Sequence, residues 1–312
     1  MGKQGVYTQA AETVVLQNER TLSSFISDMK LLLKSGVLIS NSVPVFTGFW
    51  LALFLTGVSF ADYWALFLLT LSGSTLVIAG ALVINNWYDA DIDRVMDRTS
   101  KRPTVTGSMS LKSVLTFGLV LSGAGFGLLV FTTLEAAVYA FIGWFTYVVL
   151  YTMWSKRRYT FNTIIGSVSG AVTPLIGWAA VASSFDIVPF VLFLILFIWQ
   201  MPHTYAIAMR KCEEYRKAGV AMLPVVRGFE VSKRHILFYV ACLFPLPFFL
   251  TSLGPVFVVT AVLMNTAWLI VAVYSLFSRD DLKWAKVNFF SSINYIMIMY
   301  VLMAVVTMPL FN

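Results

Sequence analysis

Nine stretches of this chain, roughly 36–58, 62–88, 112–132, 134–153, 162–182, 187–209, 235–253, 255–277 and 287–309, are predominantly apolar. Each has about the 20 residues that a helix needs to cross the hydrocarbon core of a bilayer. No water is present there to satisfy an exposed N–H or C=O, so such a segment closes its backbone hydrogen bonds internally, as a helix. The chain is 59% hydrophobic and only 12% charged, about half the charged share of a soluble domain. The expected fold is an all-α polytopic membrane protein with nine transmembrane helices. Residues 1–35 are mixed polar and read as a cytoplasmic extension, followed by a single transmembrane domain over 36–312. Cys212 and Cys242 show neither paired nor metal-ligand spacing and read as free thiols.

Charge sets the expected orientation. The loops after the first, third and fifth spans hold Asp62, Glu135 and Asp186 without any Lys or Arg, and the loop after the seventh is uncharged. All 22 Lys and Arg residues lie in the N-terminal segment, the even-numbered loops or the first turn of a span. The positive-inside rule places the N-terminus and those loops in the cytoplasm and Asn312 outside, in a cell (plasma) membrane protein. Orientation accounts for the net charge of +7, and no nucleic-acid partner is expected.

The second span runs without a break into "LVINNWYDADIDRVMDRTSKRPTVTG", residues 82–107. Asn85, Asp89 and Asp93 are four apart, so at 100° per residue they share one helical face at intervals of about 6 Å. Like charges at that spacing repel, and an aspartate at a membrane helix centre costs about 2.5–3.5 kcal/mol, less near an end. A cation offsets both penalties. Two carboxylates and an amide oxygen suit Mg2+, a hard ion that keeps positions open for phosphate oxygens. Asp91 falls about 200° away and should face elsewhere. Arg98 and Arg102 follow, and their guanidinium forks match phosphate oxygens. Together these groups suggest a diphosphate held as its magnesium salt.

Two further polar segments belong to the even-numbered loops. "LYTMWSKRRYTFN" carries Tyr151 and Lys156 at a membrane exit. "WQMPHTYAIAMRKCEEYRKAGVAMLPVVRG" places Gln200 and His203 at the inner end of the sixth span. His203 could act as a base, a hydrogen-bond donor or a haem ligand, or be hydrogen-bonded structure alone. Gly166 and Gly170 have the small-xxx-small spacing of close helix contact. An ion-coupled transporter is the alternative from another class, since intramembrane carboxylates also bind coupling ions. A transporter would set its charges nearer the midplane than this chain does.

Taken together, these segments resemble the UbiA superfamily of intramembrane prenyltransferases. The N-x-x-x-D-x-x-x-D signature of that superfamily is matched by Asn85, Asp89 and Asp93. The branch that farnesylates haem typically reads DIDRxMxRTxxRP, YTxxxKR, WQxPHF and YRxAGxPMLPVVxG, and residues 80–228 follow these patterns closely. The resemblance implies a helical bundle around a central cavity open to lipid, with farnesyl diphosphate bound at the cytoplasmic mouth. It makes Asn85, Asp89 and Asp93 the Mg2+ and diphosphate group, Arg98 and Arg102 phosphate contacts, and Tyr151 and Lys156 further contacts. Gln200 and His203 would contact haem b or handle water and protons. The usual second acidic motif is replaced here by Lys211 and Tyr215, so Lys211 is expected to hold the diphosphate directly. Transfer to the haem vinyl group would give haem O for a haem A synthase or terminal oxidase. A prenyltransferase acting on an aromatic quinone precursor is the alternative within the superfamily, and would be expected to keep that second acid pair.

Overall fold

The structure is a computed structural model that describes residues 22–308, and every element in it is helical. Most of the proposed N-terminal extension, and Asn312, lie outside the described residues. A short helix α1 (Leu22–Leu32) precedes the long helices α2 (Ser35–Thr56) and α3 (Phe60–Tyr88). The one-turn helices α4 (Ala90–Asp93) and α5 (Pro103–Thr106) come next, then α6 (Leu111–Leu129) and α7 (Leu134–Phe145), which continues as a π-helix over Thr146–Ser155. Helices α8 (Asn162–Ala171), α9 (Thr173–Ala179), α10 (Ile187–Arg210), α11 (Cys212–Lys217), α12 (Leu223–Leu243), α13 (Pro255–Tyr274) and α14 (Asp281–Val306) complete the bundle.

The helix starts are written in the sequence as side-chain caps. Ser59, Ser110, Thr133, Asp186 and Asp280 each accept a hydrogen bond from a first-turn backbone N–H, satisfying a donor that the helix cannot. Among the described residues seven segments are single helices long and apolar enough to cross a membrane, where the apolar runs led us to expect nine. The fifth run is divided into α8 and α9, because Pro174 at the start of α9 has no N–H to continue the α8 ladder. The seventh run is shorter than a span within α12, whose chain kinks at Gly228 (φ 79°, ψ 176°) and carries Arg227, Glu230, Lys233 and Arg234 before turning apolar. It ends in two 3-10 turns, Leu246–Phe249 and Thr251–Leu253.

Helices α3 and α6 pack closely because small residues face one another. A Cβ on Gly80 would lie 2.7 Å from the Gly118 carbonyl oxygen, and one on Gly125 would lie 2.6 Å from that of Gly73. The two glycines of the fifth run give the close helix contact expected of them, one against the π-helix and one against α10. Gly166 leaves room for the Tyr151 ring, and Gly170 for the Gln200 amide.

Candidate functional site

Helix α3 ends at Tyr88 and Asp89 caps it, yet the backbone ladder runs on through the break. Asp89 N–H donates to the Asn85 carbonyl (2.9 Å) and Asp93 N–H to the Asp89 carbonyl (2.8 Å). The four-residue register expected from the sequence therefore survives the change of helix. All three residues are buried, Asp89 with none of its surface exposed. Burying a carboxylate is costly unless it is paired, and each one here is. Asp89 Oδ2 accepts from Lys156 Nζ and, at 2.8 Å, from Asn85 Nδ2, which also donates to Thr152 Oγ1 at 3.0 Å. Asp93 Oδ2 accepts from Arg102, itself buried, and Thr99 Oγ1 donates to the Asp93 carbonyl at 2.9 Å. Asp89 Oδ1 remains a buried acceptor without a hydrogen bond, 3.7 Å from the Arg157 guanidinium. Asp91 does face elsewhere. It is largely exposed, pairs with both guanidinium nitrogens of Arg157 at 2.7 Å, and is held by that arginine below the usual carboxylate range.

These groups surround a cavity of about 180 Å3. Its polar wall comprises Lys34, Asn85, Asp93, Arg98, Arg102 and Lys156, and Tyr147, Tyr151 and Tyr215 line the rest with Val37, Met96 and Val220. Four basic side chains thus confront Asp93 and, immediately behind it, Asp89, which makes the space a cradle for a polyanion. Burial raises the Tyr215 phenol above its ordinary value and so keeps it neutral. Val37 and Tyr147 also line a second cavity of about 70 Å3, whose other walls include Val77, Ala81, Leu82, Ala140, Val172 and Ile176. A polar chamber and an apolar one therefore share a boundary between α2 and the π-helix.

Residues 41–294 match the UbiA prenyltransferase family. The chain belongs to that family. A "Protoheme IX farnesyltransferase" from Oceanobacillus iheyensis is 54% identical over 307 residues, 98% of each chain. "Protoheme IX farnesyltransferase 2" from Bacillus subtilis is 54% identical over 90% of this chain and 92% of its own. In fold the chain is similar to digeranylgeranylglyceryl phosphate synthase (TM-score 0.72, 19% identity, 90% and 98% of the two chains). It is also similar to a UbiA homologue from Archaeoglobus fulgidus bound to DMAPP and Mg2+ (TM-score 0.65, 16% identity, 89% and 99%).

Within this UbiA fold the expected site residues fall into two sets. Asn85, Asp93, Arg98, Arg102, Tyr151, Lys156 and Tyr215 line the polar cavity, with Asp89 bonded behind it. Lys211, Gln200 and His203 stand apart from it. Lys211 is bound to Glu214 Oε1 at 2.6 Å and part-exposed, because the chain breaks between α10 and α11 at this residue. Lys211 therefore does not line the polar cavity. The Gln200 amide donates to the Ser167 and Leu196 carbonyls at 2.9 and 3.0 Å, and His203 meets Ser292 on α14. Lys34 is the functional candidate that sequence reasoning missed, and it donates to Asn85 Oδ1. Burial, reinforced by the nearby Arg102 and Lys156 cations, pulls its ammonium well below the usual lysine value.

Proposed function

We propose that this chain transfers the farnesyl group of farnesyl diphosphate to a vinyl group of protohaem IX (haem b), with addition of water, to give haem O. The observation that carries the reading is the boundary shared by the two cavities. A cradle of four basic side chains meets an apolar chamber across Val37 and Tyr147, a shape matched to a substrate with a polyanionic head and a hydrocarbon tail. The names of the relatives at 54% identity supply the acceptor.

A divalent cation fits the residues present. Asn85, Asp89 and Asp93 offer hard oxygen donors, and Asp89 Oδ1 is a buried acceptor still lacking a hydrogen bond. Two carboxylates and one amide are fewer donors than octahedral Mg2+ takes, so this set would leave positions for the diphosphate oxygens. Mg2+ bound here would neutralise charge on the leaving diphosphate. Arg98, Arg102, Lys34 and Lys156 would bind that same charge from the protein side, most strongly as the farnesyl C1–O bond breaks. The C1–O electron pair leaves with the diphosphate. The vinyl π electrons bond to C1, water captures the cation left on the haem side, and one proton departs. Enclosure between the two cavities limits early capture of the farnesyl cation by water.

In this reading the domain spans residues 36–312, the Asp-rich loops face the cytoplasm across the plasma membrane, and haem O passes to a haem A synthase or a terminal oxidase. The test is to incubate the purified protein with haem b, farnesyl diphosphate and Mg2+ and to seek haem O by mass spectrometry. No product from wild type, or full activity in Asp89→Ala, would overturn the reading. Prenylation of a hydroxybenzoate in place of haem would select the aromatic-acceptor alternative.

A further inference from the structure

His203 is held in a way that the diphosphate chemistry does not need. Its imidazole lies between the Trp199 ring (centroids 4.7 Å apart, planes at 19°) and the Phe289 ring (5.2 Å, 26°). Nδ1 is 2.8 Å from Ser292 Oγ. That hydroxyl has one proton and donates it to the Phe289 carbonyl at 2.6 Å, and a carbonyl only accepts. Ser292 Oγ therefore accepts from Nδ1–H. In the neutral ring Nε2 then carries the lone pair, and among the described residues it has no hydrogen-bond partner. Ser292 fixes the neighbouring ring too, since its carbonyl accepts from Trp199 Nε1 at 2.7 Å. A neutral imidazole whose Nδ1–H is anchored and whose Nε2 is bare is the form that ligates metals.

Resting on the haem reading above, we propose that His203 Nε2 is an axial ligand of the haem b iron, with Ser292 as its positioning residue and Arg210 as the partner of a haem propionate. Arg210 lies seven residues further along α10, about 10.5 Å and 20° short of two full turns, hence on the same face. Its guanidinium rests over the Phe289 ring at 4.9 Å, at the exposed end of the helix. Propionates bound there keep their charge near water. The opposite, vinyl-bearing edge of the porphyrin then points away from the exposed end of the helix.

The experiment titrates the full-length protein in nanodiscs with haem b and, separately, with iron-free protoporphyrin IX. Ferrous haem on wild type is expected to show an iron–histidine stretch by resonance Raman, and haem b to bind about tenfold or more tighter than the iron-free ring. His203→Gly should lose both, with imidazole restoring the spectrum, while farnesyl diphosphate binding is retained as the sign of an intact fold. Arg210→Ala should weaken haem b but leave its dimethyl ester unaffected. Wild-type haem without an iron–histidine stretch, or an unchanged spectrum and iron preference in His203→Gly, overturns the proposal. If haem O still forms in that case, the farnesyl-transfer reading stands alone. A wild type that neither binds haem nor makes product overturns both.

Discussion

Lys34 donates its ammonium to the side-chain oxygen of Asn85, tying the start of α2 to the polar end of α3. Among the described residues Lys34 is also the one non-glycine with positive φ (48°), a left-handed conformation that costs a bulky side chain about 1–2 kcal/mol. The strained backbone aims the side chain into the cation cradle. Lys34→Asn separates the two roles, since asparagine adopts this conformation readily but brings no charge. We expect kcat/KM for farnesyl diphosphate to fall about tenfold, the worth of one charge-assisted hydrogen bond, with little change in melting temperature. Unchanged kcat/KM would remove Lys34 from the site.

The carboxylates make a paired test, because Asp89 and Asp91 are two residues apart and differ in environment. Asp89 is buried among Asn85, Lys156 and Arg157, whereas Asp91 is exposed and meets Arg157 alone. Removing divalent cations with EDTA should stop turnover, and added Mg2+ should restore it. Asp89→Asn should lower kcat by about 10²–10³. Asp91→Asn loses only an exposed ion pair, worth about 0–1 kcal/mol to the fold, and should stay within about twofold of wild type. Comparable losses in both variants would contradict the assignment of Asp89 over Asp91.

What the sequence could and could not disclose follows from the range of the interactions involved. Asn85, Asp89 and Asp93 were legible because their relationship is local, carried by successive backbone hydrogen bonds. Asp91 was legible as an outsider by the same periodicity. Lys34 was not, since its contact with Asn85 spans 51 residues, and a lysine before the first span looks like an orientation signal. The π-helix was equally hidden. Its winding brings Tyr147, Tyr151 and Lys156 to one cavity wall, a register that ordinary helical periodicity does not give. The position of Lys211 outside the cavity was not legible either, because matching by motif position does not register the backbone break at that very residue.

Cys212, buried at the start of α11, gives a pH-dependent prediction. Burial raises its thiol above the ordinary value, and Arg216 offsets this only in part. Alkylation by iodoacetamide near pH 7 should therefore run about tenfold or more slower than for an exposed thiol, because the thiolate is the nucleophile. The sign for stability follows from the neutral form being favoured in the fold. The contribution is fully present below the unfolded thiol's pKa and is lost as pH rises through the raised one. Melting temperature should fall less between pH 8 and pH 10 in Cys212→Ala than in wild type, as differential scanning fluorimetry would read. An equal fall in both proteins would show that Cys212 does not titrate as its burial implies.

The wall of the apolar cavity depends on how closely α2 and α9 approach. A Cβ on Gly177 would run into the Val45 carbonyl oxygen, and one on Gly48 into that of Pro174, so the two backbones touch across a pair of glycines. The obstacle in each case is main chain and cannot rotate aside, so alanine must force the helices apart. Overpacking of this kind costs about 1–3 kcal/mol. Gly177→Ala should lower the melting temperature more than Gly123→Ala, whose added methyl meets nothing within 4 Å. Because Ile176 lines the tail cavity next to Gly177, the same shift should raise KM for farnesyl diphosphate while leaving the affinity for inorganic diphosphate nearly constant. A Gly177→Ala protein as stable as Gly123→Ala, with wild-type KM, would show that the α2–α9 contact neither holds the fold nor shapes the tail site.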